Sequence, residues 1–553
     1  MKIFFYAIKR IGEKIKTLKI KKILSNLFIF LFFLLSLLLI YHPIYTIEYL
    51  HHDDAFFCSQ LKKTIHPQSA FFLLIGRYIQ AYLLTIVNWF FYYPSDLYLL
   101  RLSGIFQLSI IGSILSWWLR KYFSFRDSLL IALAIITLPP FTIMVSWTTA
   151  TYGFTAIIFS LLAVYCAYKI PFHKIPWQRR LFSCYCWCGL FFLLCAFSTY
   201  QPTACFYWAV VLLIMLFENR QCQLSDFVSR TINLFILGFI TMAVYGVILI
   251  LTTPQVGDPT LPPQYNLRLM TTDYTAKFRW FLYEPAVNAL NFWNIFPRKD
   301  IALTVVLFMV FSLLLFLVKA RAFNPKTFVK IFIYTGSVTL LVVLSLLPSL
   351  IVSKALAVYR VLAALMVMMI IFMIWIIEKW VNFLPHFLRR SVLTLIFFSA
   401  VILGSVQAYR NTLTVVIPGY IEFKYVKENV LKLLVDDSKD KLLYIPCSAD
   451  LPSVRYDEFG FFTTMEPNNL QPLTVCSLME IARESSLSLK HLDQNRSASF
   501  YHAEFFSLNG AKTISKDFYS GSLEGKIPEN INSLIPSSII VDMRNTCREN
   551  KAF

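Results

Sequence analysis

Apolar runs of about 17–22 residues recur along this chain, separated by short segments rich in Lys and Arg. At 1.5 Å per residue, a helix of about 20 residues spans the roughly 30 Å hydrocarbon core of a bilayer. Of 553 residues, 57% are hydrophobic, more than soluble domains of ordinary size bury. The expectation is a polytopic α-helical membrane protein with the lipid bilayer as its first partner.

The net charge of +20 raises the question of nucleic acid. The basic residues collect beside apolar runs, as membrane topology demands, so no nucleic-acid partner is expected. Lys2, Lys9, Arg10, Lys14, Lys16, Lys19, Lys21 and Lys22 precede the first run, about 23–41, and hold the N-terminus in the cytoplasm. That run is long enough to span and lacks a small-residue cleavage site. The stretch 70–92 carries Arg77 and Gln80, which are costly at bilayer depth, and reads as an interfacial or re-entrant segment. Runs near 97–119, 128–147, 150–168, 182–198, 202–217, 231–252, 301–318, 331–352, 360–377 and 391–409 bring the expected count to about eleven spans. The basic loops 120–126, 169–180 and 218–230 then share the cytoplasmic side, and the C-terminus lies outside.

This divides the chain into a transmembrane domain, 1–409, with outer loops 42–96 and 253–300, and a tail, 410–553. The tail mixes an amphipathic helix pattern with short strand-like runs such as "KLLYIP" and "SSIIVDM", and reads as a small extracytoplasmic α/β domain. A Cys447–Cys476 disulfide is compatible with that compartment and leaves Cys547 over. Cys184, Cys186 and Cys188 lack the flanking ligands of a zinc site and read as packing residues.

Candidate chemistry gathers on the outer face. "EYLHHDDAFFCSQ", residues 48–60, follows the first span and contains Asp53 and Asp54. A carboxylate there could take a proton from a sugar hydroxyl, or a pair could hold Mg²⁺ or Mn²⁺ against a phosphate. A solvated loop is the plain alternative. Arg77 and Gln80 lie on the interfacial segment, Tyr200 and Gln201 in the turn "FSTYQP", Arg268, Lys277 and Arg279 in the long outer loop, and Arg360 in "AVYRVL". Arginine forks grip phosphate well, although such residues also snorkel to lipid headgroups. Trp280, Phe281 and Tyr283 could stack on sugar rings or lie on the bilayer. Gly-rich phosphate loops and Walker patterns are missing from the cytoplasmic segments, which points to a membrane-borne donor rather than a soluble nucleotide.

The Asp-Asp pair after the first helix, "GRYIQAYL" (76–83), "STYQP", "YRVL" and "YDEFGFF" (456–462) together resemble the Gtr-type glucosyltransferases of serotype-converting phages and their bacterial relatives, whose plan is similar to GT-C polytopic glycosyltransferases. The resemblance implies a multi-pass enzyme of the bacterial inner membrane, its C-terminal domain periplasmic. Such an enzyme moves a hexose, glucose by family, from a polyprenyl-phosphate carrier to a surface polysaccharide such as O-antigen, or to a glycolipid. It implies Asp53 or Asp54 as base or metal ligand, Arg77 and Arg360 on the donor phosphate, and Gln80, Tyr200, Gln201 and Arg279 on the substrates. The long outer loop departs from any alignable family motif. The competing expectations are a flippase of lipid-linked sugars, to which the break at Pro139 and Pro140 is suited, and a membrane scaffold whose tail binds a partner.

Overall fold

A computed structural model describes residues 23–49, 54, 72–73, 75–87, 96–170, 183–218, 224–252, 271–294, 299–323, 336–352 and 357–433, with short strands between 441 and 542. The protein is a helical membrane protein. Among the described residues, seven helices are long and apolar enough to cross a bilayer: Ile23–Ile40, Leu97–Leu119, Thr148–Lys169, Gln201–Glu218, Ser229–Thr252, Ala363–Val381 and Phe387–Ile417. An eighth crossing is a bent pair, Phe125–Ile136 and Pro139–Ser146, meeting at 61°. The run expected at 182–198 carries a shorter apolar helix, Cys184–Thr199, that at 301–318 lies within the helix Lys299–Phe323, and the described part of that at 331–352 contains the apolar helix Gly336–Ser345. Length and composition therefore support seven or eight crossings, and the expected count of eleven is not established. Tyr78–Val87 has 10 residues, about 15 Å of helix, too short to cross alone.

Exposure separates helices that face lipid from those that do not. Every residue of Phe206–Glu218 is buried, as is most of Ala363–Val381. A helix apolar on all sides belongs inside a bundle or a bilayer. The Ile23–Ile40 and Ser229–Thr252 helices instead expose large apolar side chains such as Leu35, Leu39, Ile250 and Leu251, the lipid-facing surface of such a bundle.

The bent crossing has an identifiable cause. Ser124 caps its first helix, its hydroxyl accepting from the Asp127 amide at 3.2 Å and donating to Asp127 Oδ2 at 2.7 Å. Asp127 Oδ1 accepts from Thr394 at 2.8 Å, tying this end to the last long helix, His386–Leu433. At the other end Pro139 and Pro140 supply no amide hydrogens, so the helical ladder cannot continue. The Leu138 amide turns to the Ile135 carbonyl, and the Ala134 carbonyl accepts instead from Thr137 Oγ1 and Trp293 Nε1, each at 3.1 Å. Gly404 lets the last helix approach this repair, since a Cβ there would sit 2.6 Å from both Thr137 Oγ1 and Trp293 Nε1.

The His386–Leu433 helix runs through residue 410, where the sequence suggested a domain boundary, and the crossing within it ends at Ile417, just before Pro418 and Gly419. Beyond it, Lys441–Ile445 pairs in parallel with Ser538–Asp542 on one side and His502–Ala503 on the other, and Ser453–Asp457 pairs antiparallel with Gly460–Met465. Cys447, Cys476 and Cys547 lie outside the described residues.

Candidate functional site

The broken crossing delivers a short polar stretch, Ser146–Thr151, into the interior. After Pro139–Ser146 the chain extends at Trp147, makes one 3₁₀ turn over Thr148–Ala150, and starts the Tyr152–Lys169 helix. Thr148, Thr149 and Thr151 are poor helix formers because their branched side chains crowd the preceding turn. Three parts of the chain reach this stretch. Tyr49 donates its hydroxyl to the Ser146 carbonyl at 2.6 Å, Gln80 donates its amide to the Thr149 carbonyl at 3.4 Å, and the Arg360 guanidinium lies 4.1 Å from the Trp147 ring centroid.

Beside Tyr49 stands a buried ion pair. Arg101, in the Leu97–Leu119 helix, donates to Asp54 Oδ2 and to the Tyr49 carbonyl, each at 2.9 Å, and its guanidinium lies 3.7 Å from the Tyr49 ring centroid. The side chains of Arg101 and Asp54 are 2% and 0% exposed. Charges this deep require pairing, because the low dielectric penalises an isolated one.

A second polar group holds Arg77. Its Nε donates to Gln201 Oε1 at 3.0 Å, and its guanidinium lies 4.3 Å from the Tyr200 ring centroid. Gln201 donates in turn to the Ile75 carbonyl at 3.1 Å and the Tyr245 hydroxyl at 2.8 Å, and Tyr245 donates to the Gly76 carbonyl at 3.0 Å. Gly76 adopts φ +81, the left-handed region that favours glycine, and so turns the chain to bring Arg77 inward. Burial lowers the proton affinity of Arg77, Tyr200 opposes this, and Arg360 lowers it further. Arginine stays charged regardless, so the lowering records first the cost of burying the guanidinium and, after the offsetting Tyr200, repulsion from Arg360.

Six of the eight residues singled out from sequence therefore lie around one region: Asp54, Arg77, Gln80, Tyr200, Gln201 and Arg360. Asp53 lies outside the described residues, as do His51, His52 and Arg268. Arg279 is exposed on the Tyr274–Tyr283 helix. Lys277 is buried there with its ammonium 4.3 Å from the Trp280 ring centroid. Sequence reasoning missed Tyr49, Arg101 and Ser146–Thr151. Arg101 could have been found, since an arginine inside "LYLLRLSG" breaks an otherwise apolar run, and intramembrane ionisable residues are functional candidates by default.

Two buried polar atoms at the centre have no hydrogen-bond partner among the described residues, Gln80 Oε1 and Thr148 Oγ1. A buried polar group left unsatisfied costs about 1–3 kcal/mol, which a ligand hydroxyl could recover by pairing with both. The Arg77 and Arg360 guanidiniums suit an anion. For Mg²⁺ or Mn²⁺ the donor set is thin: no group of three or more His, Cys, Asp or Glu side chains that could hold a metal occurs among the described residues, and Asp54 Oδ2 is bound to Arg101. The chain matches no family model and no curated protein.

Proposed function

We propose that this protein is a membrane glycosyltransferase of GT-C-like plan, of the kind its Gtr-type resemblance suggests. It would transfer a hexose, most simply glucose, from a polyprenyl-phosphate carrier to a surface polysaccharide such as O-antigen, or to a glycolipid. On this reading the protein sits in a bacterial inner membrane with its N-terminus cytoplasmic, and the site and the C-terminal domain face the periplasm. The observation that carries the proposal is the placing of two arginines, Arg77 against Gln201 and Tyr200 and Arg360 against Trp147, with the buried hydrogen-bonding atoms of Gln80 and Thr148 around one broken crossing. Phosphate and sugar hydroxyls are the complementary chemistry.

In this reaction the carrier's lipid lies against the bundle. The acceptor hydroxyl loses its proton to Asp53 or Asp54 and attacks the anomeric carbon, and the carbon–oxygen bond to phosphate breaks with the electron pair leaving on polyprenyl phosphate. Arg77 and Arg360 offset the charge that develops on that oxygen. One displacement inverts the anomeric centre. The Arg101 ion pair occupies Asp54 Oδ2, which favours Asp53 for proton transfer and gives Asp54 the task of anchoring the segment that carries it.

The test is turnover of polyprenyl-phosphate glucose by the purified protein with candidate acceptors. Release of polyprenyl phosphate, lost in Asp53→Asn and Arg360→Gln, is expected. Normal transfer by both Asp53→Asn and Asp54→Asn would sink the scheme. The bend of 61° in the Phe125–Ser146 crossing favours one other reading, a flippase of lipid-linked sugar, because broken helices are usual in transporters. Sugar movement across the membrane without release of polyprenyl phosphate would establish it instead.

A further inference from the structure

Three helices that start at the candidate site end together at the opposite side of the bundle, where a fourth begins. From Arg101 to Lys121 the chain advances 20 residues, roughly 30 Å along a helix, about one hydrocarbon thickness. There the ends of Leu97–Leu119, Tyr152–Lys169 and Phe206–Glu218 meet the early turns of Leu224–Thr252. They bring together Lys121, Lys169 and Arg230 around the carboxylate of Glu218.

The cluster is organised by aromatic rings. The Lys121 ammonium lies 3.8 Å from the Trp118 ring centroid and 4.0 Å from that of Tyr168. Arg230 lies 5.3 Å from the same Tyr168 ring, pairs with Glu218, and Tyr168 donates its hydroxyl to Glu218 at 2.8 Å. Lys169 is exposed, and Lys121 and Arg230 are half-buried, so the group is open to a ligand at the membrane surface. Among the described residues, three cations share the Glu218 carboxylate. Burial is the main cause that brings the Lys121 ammonium down to about 8, Glu218 opposes this, and Lys169 and Arg230 lower it further.

We propose that Lys121, Lys169 and Arg230 form a binding site for a phosphate group, borne by an anionic lipid headgroup or by a soluble phosphate compound, at the end of the bundle remote from the candidate catalytic region. A basic recess between helix ends at the bilayer surface suits such a headgroup, and the rings of Trp118 and Tyr168 hold Lys121 in place before the anion arrives. The site does not depend on the transferase reading.

The test uses the full-length protein in nanodiscs of phosphatidylcholine alone or mixed with phosphatidylglycerol, with retained lipid measured by native mass spectrometry and stability by thermal unfolding, with and without inorganic phosphate. Preferential retention of phosphatidylglycerol, about fivefold weaker in Lys169→Gln and again in Lys121→Gln, is expected for a lipid headgroup. Stabilisation by inorganic phosphate in phosphatidylcholine alone, lost in the same variants, assigns the site to a soluble phosphate compound. Glu218→Gln separates binding from mere structure: removing that carboxylate strengthens retention if the cluster binds an anion and weakens nothing but the fold if it does not. Equal retention of both lipids with no response to phosphate, or identical behaviour of wild type, Lys169→Gln and Glu218→Gln, overturns the proposal.

Discussion

The Asp54–Arg101 pair gives the sharpest energetic prediction. Both side chains are almost completely removed from solvent and share a 2.9 Å contact. Replacing Asp54 by Asn leaves the Arg101 charge without its counter-ion, a change that costs about 3–5 kcal/mol at buried sites. Replacing Arg101 by Met strands the Asp54 charge and also removes the 2.9 Å bond to the Tyr49 carbonyl and the stacking on the Tyr49 ring. The stacking alone is worth about 2 kcal/mol when desolvated, so this variant is expected to be the less stable of the two. The double variant carries neither buried charge. Its loss should fall short of the sum of the single losses by about 2–3 kcal/mol, the signature of a directly coupled pair. Denaturant unfolding in mixed micelles, followed by tryptophan fluorescence, measures all four proteins. Additivity within about 0.5 kcal/mol would show that the pair is not energetically coupled and would refute the anchoring role given to Asp54.

Gly404→Val places a side chain against Thr137 Oγ1 and Trp293 Nε1, and is expected to destabilise by about 1–3 kcal/mol through overpacking, measured by the same unfolding assay. Gly76→Ala must adopt φ +81 and crowd Tyr245 and Leu249, so a loss of about 1 kcal/mol is expected, with weaker donor binding because Arg77 follows directly; unchanged donor affinity would separate the turn from the site. Lys121 titrates near 8 in the folded protein and near 10.4 when unfolded. The unfolded chain then binds more protons between those values, so Tm should rise as pH rises through that window, and the rise should shrink in Lys121→Gln.

The apolar runs made the bundle legible, and Pro139 with Pro140 announced the broken crossing, because both signals are local: a helix needs only its own residues to be apolar and continuous. The number of crossings was less accessible. Cys184–Thr199 belongs to a run that hydropathy alone equates with a full span, yet its helix has 16 residues, about 24 Å. The site was half legible for the same reason. "GRYIQAYL" and "STYQP" flagged Arg77, Gln80, Tyr200 and Gln201, whereas the partner of Asp54 lies 47 residues away and nothing in the local pattern names it. Arg279 went the other way: the sequence places it among the candidates, but its helix exposes it. Lys121, Lys169 and Arg230 each read as ordinary topological charge in three separate loops, and only the packing of four helix ends makes them neighbours.

That long-range pairing also bears on why the motif carries two aspartates. Neighbouring side chains point about 100° apart on a helix and to opposite faces of an extended segment, so two adjacent carboxylates seldom address one group unless a helix begins or breaks there. Asp54 takes the place beside Arg101 and is buried in doing so. In the proposed reaction this divides the work: a carboxylate fixed by a guanidinium orients the loop, and its neighbour is left to meet the acceptor hydroxyl. The division predicts unequal variants. Asp54→Asn should lose stability and transfer together, whereas Asp53→Asn should lose transfer with unfolding unchanged. Matching losses of stability in both would mean that the two aspartates share one structural task, and the base would have to be sought elsewhere around Ser146–Thr151.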